Sequence, residues 1–149
     1  MRRLLTVAVV AATGLGASAS PAVAHHTYGF YYDVCKRITI EGHVERIEWK
    51  APHPLIELEV DDGATYLVEW SALPNLVRQG LKADTLKGGD RLAVTGSLLK
   101  PLALIDPARR WMVSDRGPNT ISALVQMRRA SDGWMWSTPE GAALPKDCR

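Results

Sequence analysis

"LIELEVDDGATYLVEWSALPNLVRQGL", residues 55–81, carries two periods in one short run. In its first part the apolar residues alternate: Ile56, Leu58 and Val60, then Tyr66, Val68 and Trp70. A period of two puts each set on one face of a strand. Between them "DDG" (61–63) is a hairpin turn signal. The pattern then changes. Pro74 stands near the start of "SALPNLVRQG", Leu76 and Val77 form an apolar stripe, and Gly80 is the stop, which predicts one short helix.

Towards the N-terminus, Ile38, Ile40 and Val44 alternate with Thr39, Glu41, His43 and Glu45. The apolar parity then flips to Ile47 and Trp49, which predicts a bulge in a long first strand near Gly42. "APHP" (51–54) interrupts the pattern, because neither proline can donate to a ladder. Towards the C-terminus, "LKGGDRLAVTG" (86–96) reads as a turn and a strand from Arg91 to Thr95. Residues 97–119 show no period and are expected to hold a long loop. "TISALVQMRR" (120–129) is a fifth strand, and "SDG" turns it into "WMWS" (134–137). Three strands, a helix and two strands is the order of an OB-like barrel. The expected class is therefore mainly β: a small OB-like five-stranded barrel with one short helix, plus a C-terminal hairpin. A sandwich would want about seven strands.

The ends divide the chain further. Arg2 and Arg3 make a short basic start, Leu4–Gly16 is apolar, and Ala22 and Ala24 fit an A-x-A cleavage site. This is the pattern of a secretory signal peptide over residues 1–24. It leaves a barrel domain over 25–137 and an irregular tail over 138–149, with two prolines and small residues. The apolar run is too short to span a bilayer, which takes about 20 residues. Losing Arg2 and Arg3 lowers Lys+Arg from 18 to 16, against 16 Asp+Glu. A near-neutral domain lacks the basic excess of a nucleic-acid binder. The expectation is an exported protein, periplasmic or secreted, without stable membrane insertion.

Cys35 and Cys148 are the only cysteines. An oxidising compartment favours a bridge between them, with two free thiols or soft metal ligands as the alternatives.

The stretches "HHTYGFYYD", "GHVERIEWKAPHPLIELEV", "VEWS", "LPNLVRQG" and "LKGGDRLAVTG" resemble a family of small exported bacterial proteins of uncharacterised function. Its members open His-His-Ser after the signal peptide and continue with Trp-x-Asn-Pro-His, a Glu-Trp pair and a Lys-x-Gly-Asp turn. The resemblance covers about residues 25–96. Thr27 stands where serine is usual, and Ala51 where asparagine is usual. The resemblance implies a fold and an export route, and it carries no activity.

Two of the four histidines, His25 and His26, would then open the mature chain. A mature N-terminal His25 offers an amine and an imidazole from one residue, and a further imidazole completes a three-nitrogen set suited to Cu(II). His53, between two prolines, and His43 are the candidate third ligands, with Tyr28 as an axial group. Zinc is the alternative, using His25, His26 and His53 with water. A docked or free N-terminus and a turn-capping His53 would account for the same residues without metal.

Glu69 lies at a strand end beside Trp70, where a salt bridge to Arg78 or Arg91 would explain it. Trp134 and Trp136 share a strand face and offer a possible ligand shelf, while packing against the barrel is the simpler role. No G-x-S-x-G, P-loop or dinucleotide motif is present. The leading expectation is a non-enzymatic, copper-binding exported protein. The other is a barrel that binds a small ligand, a glycan or a periplasmic partner protein; a copper-dependent oxidase is a distant third.

Overall fold

The structure, a computed structural model, describes residues 28–113, 115–138, 144 and 148. The segment 1–24, His25, His26 and most of the tail lie outside the described residues. The chain forms β1 (Ile38–Glu48), β2 (Leu55–Val60), β3 (Thr65–Glu69), α1 (Leu73–Arg78), β4 (Arg91–Leu98), β5 (Thr120–Arg129) and β6 (Met135–Ser137). Antiparallel pairs join β3 to β2, β2 to β1, β1 to β4 and β4 to β5. A short parallel pairing, Leu67 to Thr120 and Val68 to Ile121, closes the ring. The result is a closed five-stranded barrel of OB-like order, with β6 bonded to β5 outside the ring.

The alternation seen in the sequence fills the barrel. Ile40, Val44, Ile56, Leu58, Val68 and Trp70 are buried together with Leu92, Val94, Ile121 and Met127. Trp70 is the hub of an aromatic cluster, with edge-on contacts to Trp49, Trp134 and Trp136 at centroid distances of 6.0, 6.4 and 5.6 Å. The ring nitrogen of Trp136 donates to Gln79 Oε1 at 2.8 Å, which ties the outer strand to the end of α1. The shelf expected from Trp134 and Trp136 is corrected by this packing: Trp136 is buried and Trp134 half-buried. Met135, between them, is the residue that faces solvent.

Three further details differ from the sequence reading. The β1 bulge falls between Val44 and Arg46, inside the parity flip, and Gly42 is not part of it. There β1 has run past the start of β4, where the terminal pair is His43 opposite Arg91. Gly42 has another reason to be glycine. A Cβ there would run into the Glu59 carbonyl and lie 2.8 Å from its carbon. In α1 only Leu76 is buried, and Val77 is exposed. A six-residue helix turns successive side chains by about 100°, so one residue reaches the core and its neighbour does not. Lastly, β4 runs on to Leu98, and the following stretch contains two 3-10 turns, Leu102–Leu104 and Pro107–Met112.

A second apolar cluster sits beside the barrel. Tyr31, Tyr32, Leu99, Ile105 and Val113 are buried in it, with Tyr28 and Val34 against them. The arm before β1 is held to the end of β4 by backbone bonds from Asp33 to Leu98 and from Lys100 to Tyr31. Cys35 and Cys148 form a disulfide across a separation of 113 residues. Among the described residues no helix is long and apolar enough to cross a membrane.

Candidate functional site

One end of the barrel carries a cavity of about 150 Å³. The arm before β1, two connections and one strand end build it. The arm before β1 brings Tyr28, Tyr31 and Tyr32, and the β1–β2 loop brings Pro52 and His53. The C-terminal end of β3 adds Glu69, and the β4–β5 connection adds Val113 and Arg116.

The β1–β2 loop is fixed from below. The Pro52 carbonyl accepts the Leu73 N–H and the Pro54 carbonyl accepts the Trp70 N–H, both at 2.9 Å. His53 Nδ1 lies 3.0 Å from the Trp70 carbonyl. A carbonyl only accepts, so Nδ1 carries the proton and the neutral ring keeps its lone pair on Nε2. That is the arrangement by which a ligating histidine is usually oriented.

Glu69 is the electrostatic centre of the cavity. Its Oε2 accepts the Tyr32 hydroxyl at 2.9 Å and lies 3.7 Å from Arg116 Nη2. Its Oε1 is 4.0 Å from His53 Nδ1. The bridges expected to Arg78 or Arg91 are absent from its contacts. Arg78 instead donates to Asn75, and Arg91 pairs with Asp61 and Glu41. Arg116 is the cation that meets Glu69. Asp115 also lies 3.7 Å from Arg116 Nε. That Nε is buried and has no hydrogen-bond partner among the described residues.

Burial pushes the Tyr32 phenol far above the ordinary tyrosine range, and the charge of Glu69 adds to the effect. Tyr28 is raised for the same two reasons, burial first. An unfolded tyrosine releases its proton near pH 10, whereas these folded phenols hold theirs. Their stabilising effect is therefore complete below about pH 10 and declines as the pH rises above it. Near-ultraviolet titration checks this. Tyr32→Phe should remove no phenolate absorbance from the folded protein up to about pH 12. A loss in the folded state near pH 10 would mean that the Tyr32 hydroxyl is open to solvent.

Of the residues singled out in the sequence, His53 and Tyr28 meet at this cavity. His43 does not; its ring is exposed, between the Gly89 carbonyl and Arg91. His25 and His26 lie outside the described residues, and among the described residues no group of three or more His, Cys, Asp or Glu could hold a metal ion. Arg116 and Val113 had no sequence signal, because the 97–119 stretch has no period to place them.

The geometry defines a small OB-like β-barrel with a mostly apolar cavity, holding a few polar groups, between its β1–β2 and β4–β5 connections. The chain belongs to the DUF6152 family, a family of unknown function, whose model matches residues 12–101. The match includes His53 and Glu69 and ends before Val113 and Arg116. No curated protein matches the chain.

Proposed function

We propose that this is an exported, non-catalytic protein that binds a metal ion, copper ahead of zinc, through a mature N-terminus beginning at His25. The observation that supports it is the presence of Tyr28 and His53 on one cavity. An extended chain covers at most about 3.6 Å per residue, so His25 and His26 lie within about 11 and 7 Å of Tyr28. The Nε2 lone pair of His53 supplies a further nitrogen at the same end of the barrel. An amine with two imidazoles suits Cu(II), which tops the divalent affinity order. The disulfide is compatible with an oxidising compartment, and residues 1–24 have the composition of a cleaved signal peptide.

The decisive measurement is Cu(II) titration of protein purified from the exported fraction, after its mass has been matched to residues 25–149. An extra alanine before His25 moves the amine away and leaves every imidazole in place. It is expected to weaken copper binding by roughly 100-fold or more, and His53→Ala by roughly 10–100-fold. His43→Ala should change little, since that ring is outside the cavity. Undiminished copper binding by the alanine-extended protein would rule the reading out.

The second reading is a binding barrel for a small ligand or a partner protein, in which the histidines play no part. The position of the cavity favours it. OB barrels commonly take up their ligands at the β1–β2 and β4–β5 loops, the two connections that supply Pro52, His53, Val113 and Arg116 here.

A further inference from the structure

We propose that the barrel-end cavity binds a small carboxylate, gripped by Arg116, with room for one aromatic ring. The inference rests on the ligand-binding reading of the cavity and is independent of any metal.

Charge and hydrogen bonding at Arg116 are mismatched, and that mismatch carries the argument. Glu69 and Asp115 balance its charge from 3.7 Å. At that distance neither takes up its N–H groups, since a hydrogen bond of this kind needs about 2.7–3.2 Å. The Glu69 oxygen nearest to it already accepts the Tyr32 hydroxyl. The guanidinium side chain is only 18% exposed, so bulk water is a poor substitute. A guanidinium presents a planar fork that matches a carboxylate through two parallel bonds.

Other ligand classes fit less well. An ammonium guest could meet Glu69, but it would also face the Arg116 charge and would leave the guanidinium N–H groups unpaired. A phosphate dianion would need a second cation, and among the described residues Arg116 is the only lysine or arginine on the cavity wall. The remaining wall is largely aromatic and apolar, from Tyr28, Tyr31, Pro52 and Val113. A cavity of about 150 Å³ has room for a benzene ring. Benzoate and shorter carboxylates are the guests that match both the wall and the fork.

The test uses metal-free mature protein in chelator, titrated by calorimetry and amide chemical shifts with benzoate, acetate, benzylamine and inorganic phosphate. Benzoate should bind saturably at one site, at least about tenfold more tightly than benzylamine or phosphate, with the largest shifts around His53, Glu69 and Arg116. Arg116→Gln should weaken benzoate about tenfold or more, and Arg116→Lys, which keeps the charge without the fork, should recover only part of the loss. Comparing guests on the unaltered protein keeps the proposal testable even if an Arg116 variant folds poorly. Absent saturable benzoate binding, or benzylamine binding as well as benzoate, overturns it. The alanine-extended protein should bind benzoate normally. Benzoate binding with no copper response would sink the metal reading alone, and the reverse result would sink this one alone.

Discussion

Replacing Cys35 by serine is expected to lower the unfolding free energy by up to about 5 kcal/mol. The bridge to Cys148 closes a loop spanning 113 residues, and in the chain-entropy model the stabilisation grows with loop length. Whole domains are stable by only about 5–15 kcal/mol, so this variant should sit near its unfolding transition at growth temperature. The damage should concentrate on one side of the molecule. Cys35 follows the arm that supplies Tyr28, Tyr31 and Tyr32 to the cavity wall. Urea unfolding of the oxidised protein and of Cys35→Ser, with thiol labelling of the native form, gives the comparison. Native protein that labels quantitatively at both cysteines, or a serine variant as stable as the parent, would contradict the assignment.

Gly42→Ala is expected to cost about 3 kcal/mol, near the top of the range for steric overfilling, and to lower the melting temperature by roughly 10 °C or more. The added methyl would meet the Glu59 carbonyl, with Leu58 Cγ 3.1 Å away. Those atoms belong to β2, which cannot yield because Leu58 pairs with Tyr66 and Glu59 with Thr65 on the other side. Relief would require β1 and β2 to separate at the Gly42–Val60 and His43–Glu59 pairs. A change of less than 1 °C in the thermal transition would show that the two strands do not approach so closely.

How much of this was legible beforehand depended on period. The alternation of Ile56, Leu58 and Val68 identified both strand type and buried face, and all three are fully buried. The strand–strand–strand–helix–strand–strand order identified the barrel, because few closed sheets accept one helix at that place. Parity bracketed the bulge between Val44 and Ile47, and it falls between Val44 and Arg46, while the nearby Gly42 takes no part in it.

The site was half legible. His53 stood out because two prolines isolate it, and Glu69 because it ends a strand. Their partner Arg116 lies 47 residues beyond Glu69 in sequence, in a stretch with no repeating pattern. Only closure of the ring brings β5, and the residues leading into it, against β3. Trp134 and Trp136 mark the opposite failure. Their spacing does put them on one face, yet spacing alone does not say which face turns inward. The Trp70 ring, itself buried, decides it.

The bridge between Cys35 and Cys148 has a meaning beyond stability. It joins the chain just before the first strand to its penultimate residue, so all six strands and the helix lie within one covalent circle. A single backbone cut anywhere inside that circle opens it without releasing a fragment. Both pieces stay tethered, and the interlocked strands hold the cut ends in register. A first protease nick in the long 99–119 connection would therefore leave a molecule of unchanged size and strand pairing, and only a second cut would free a piece of it.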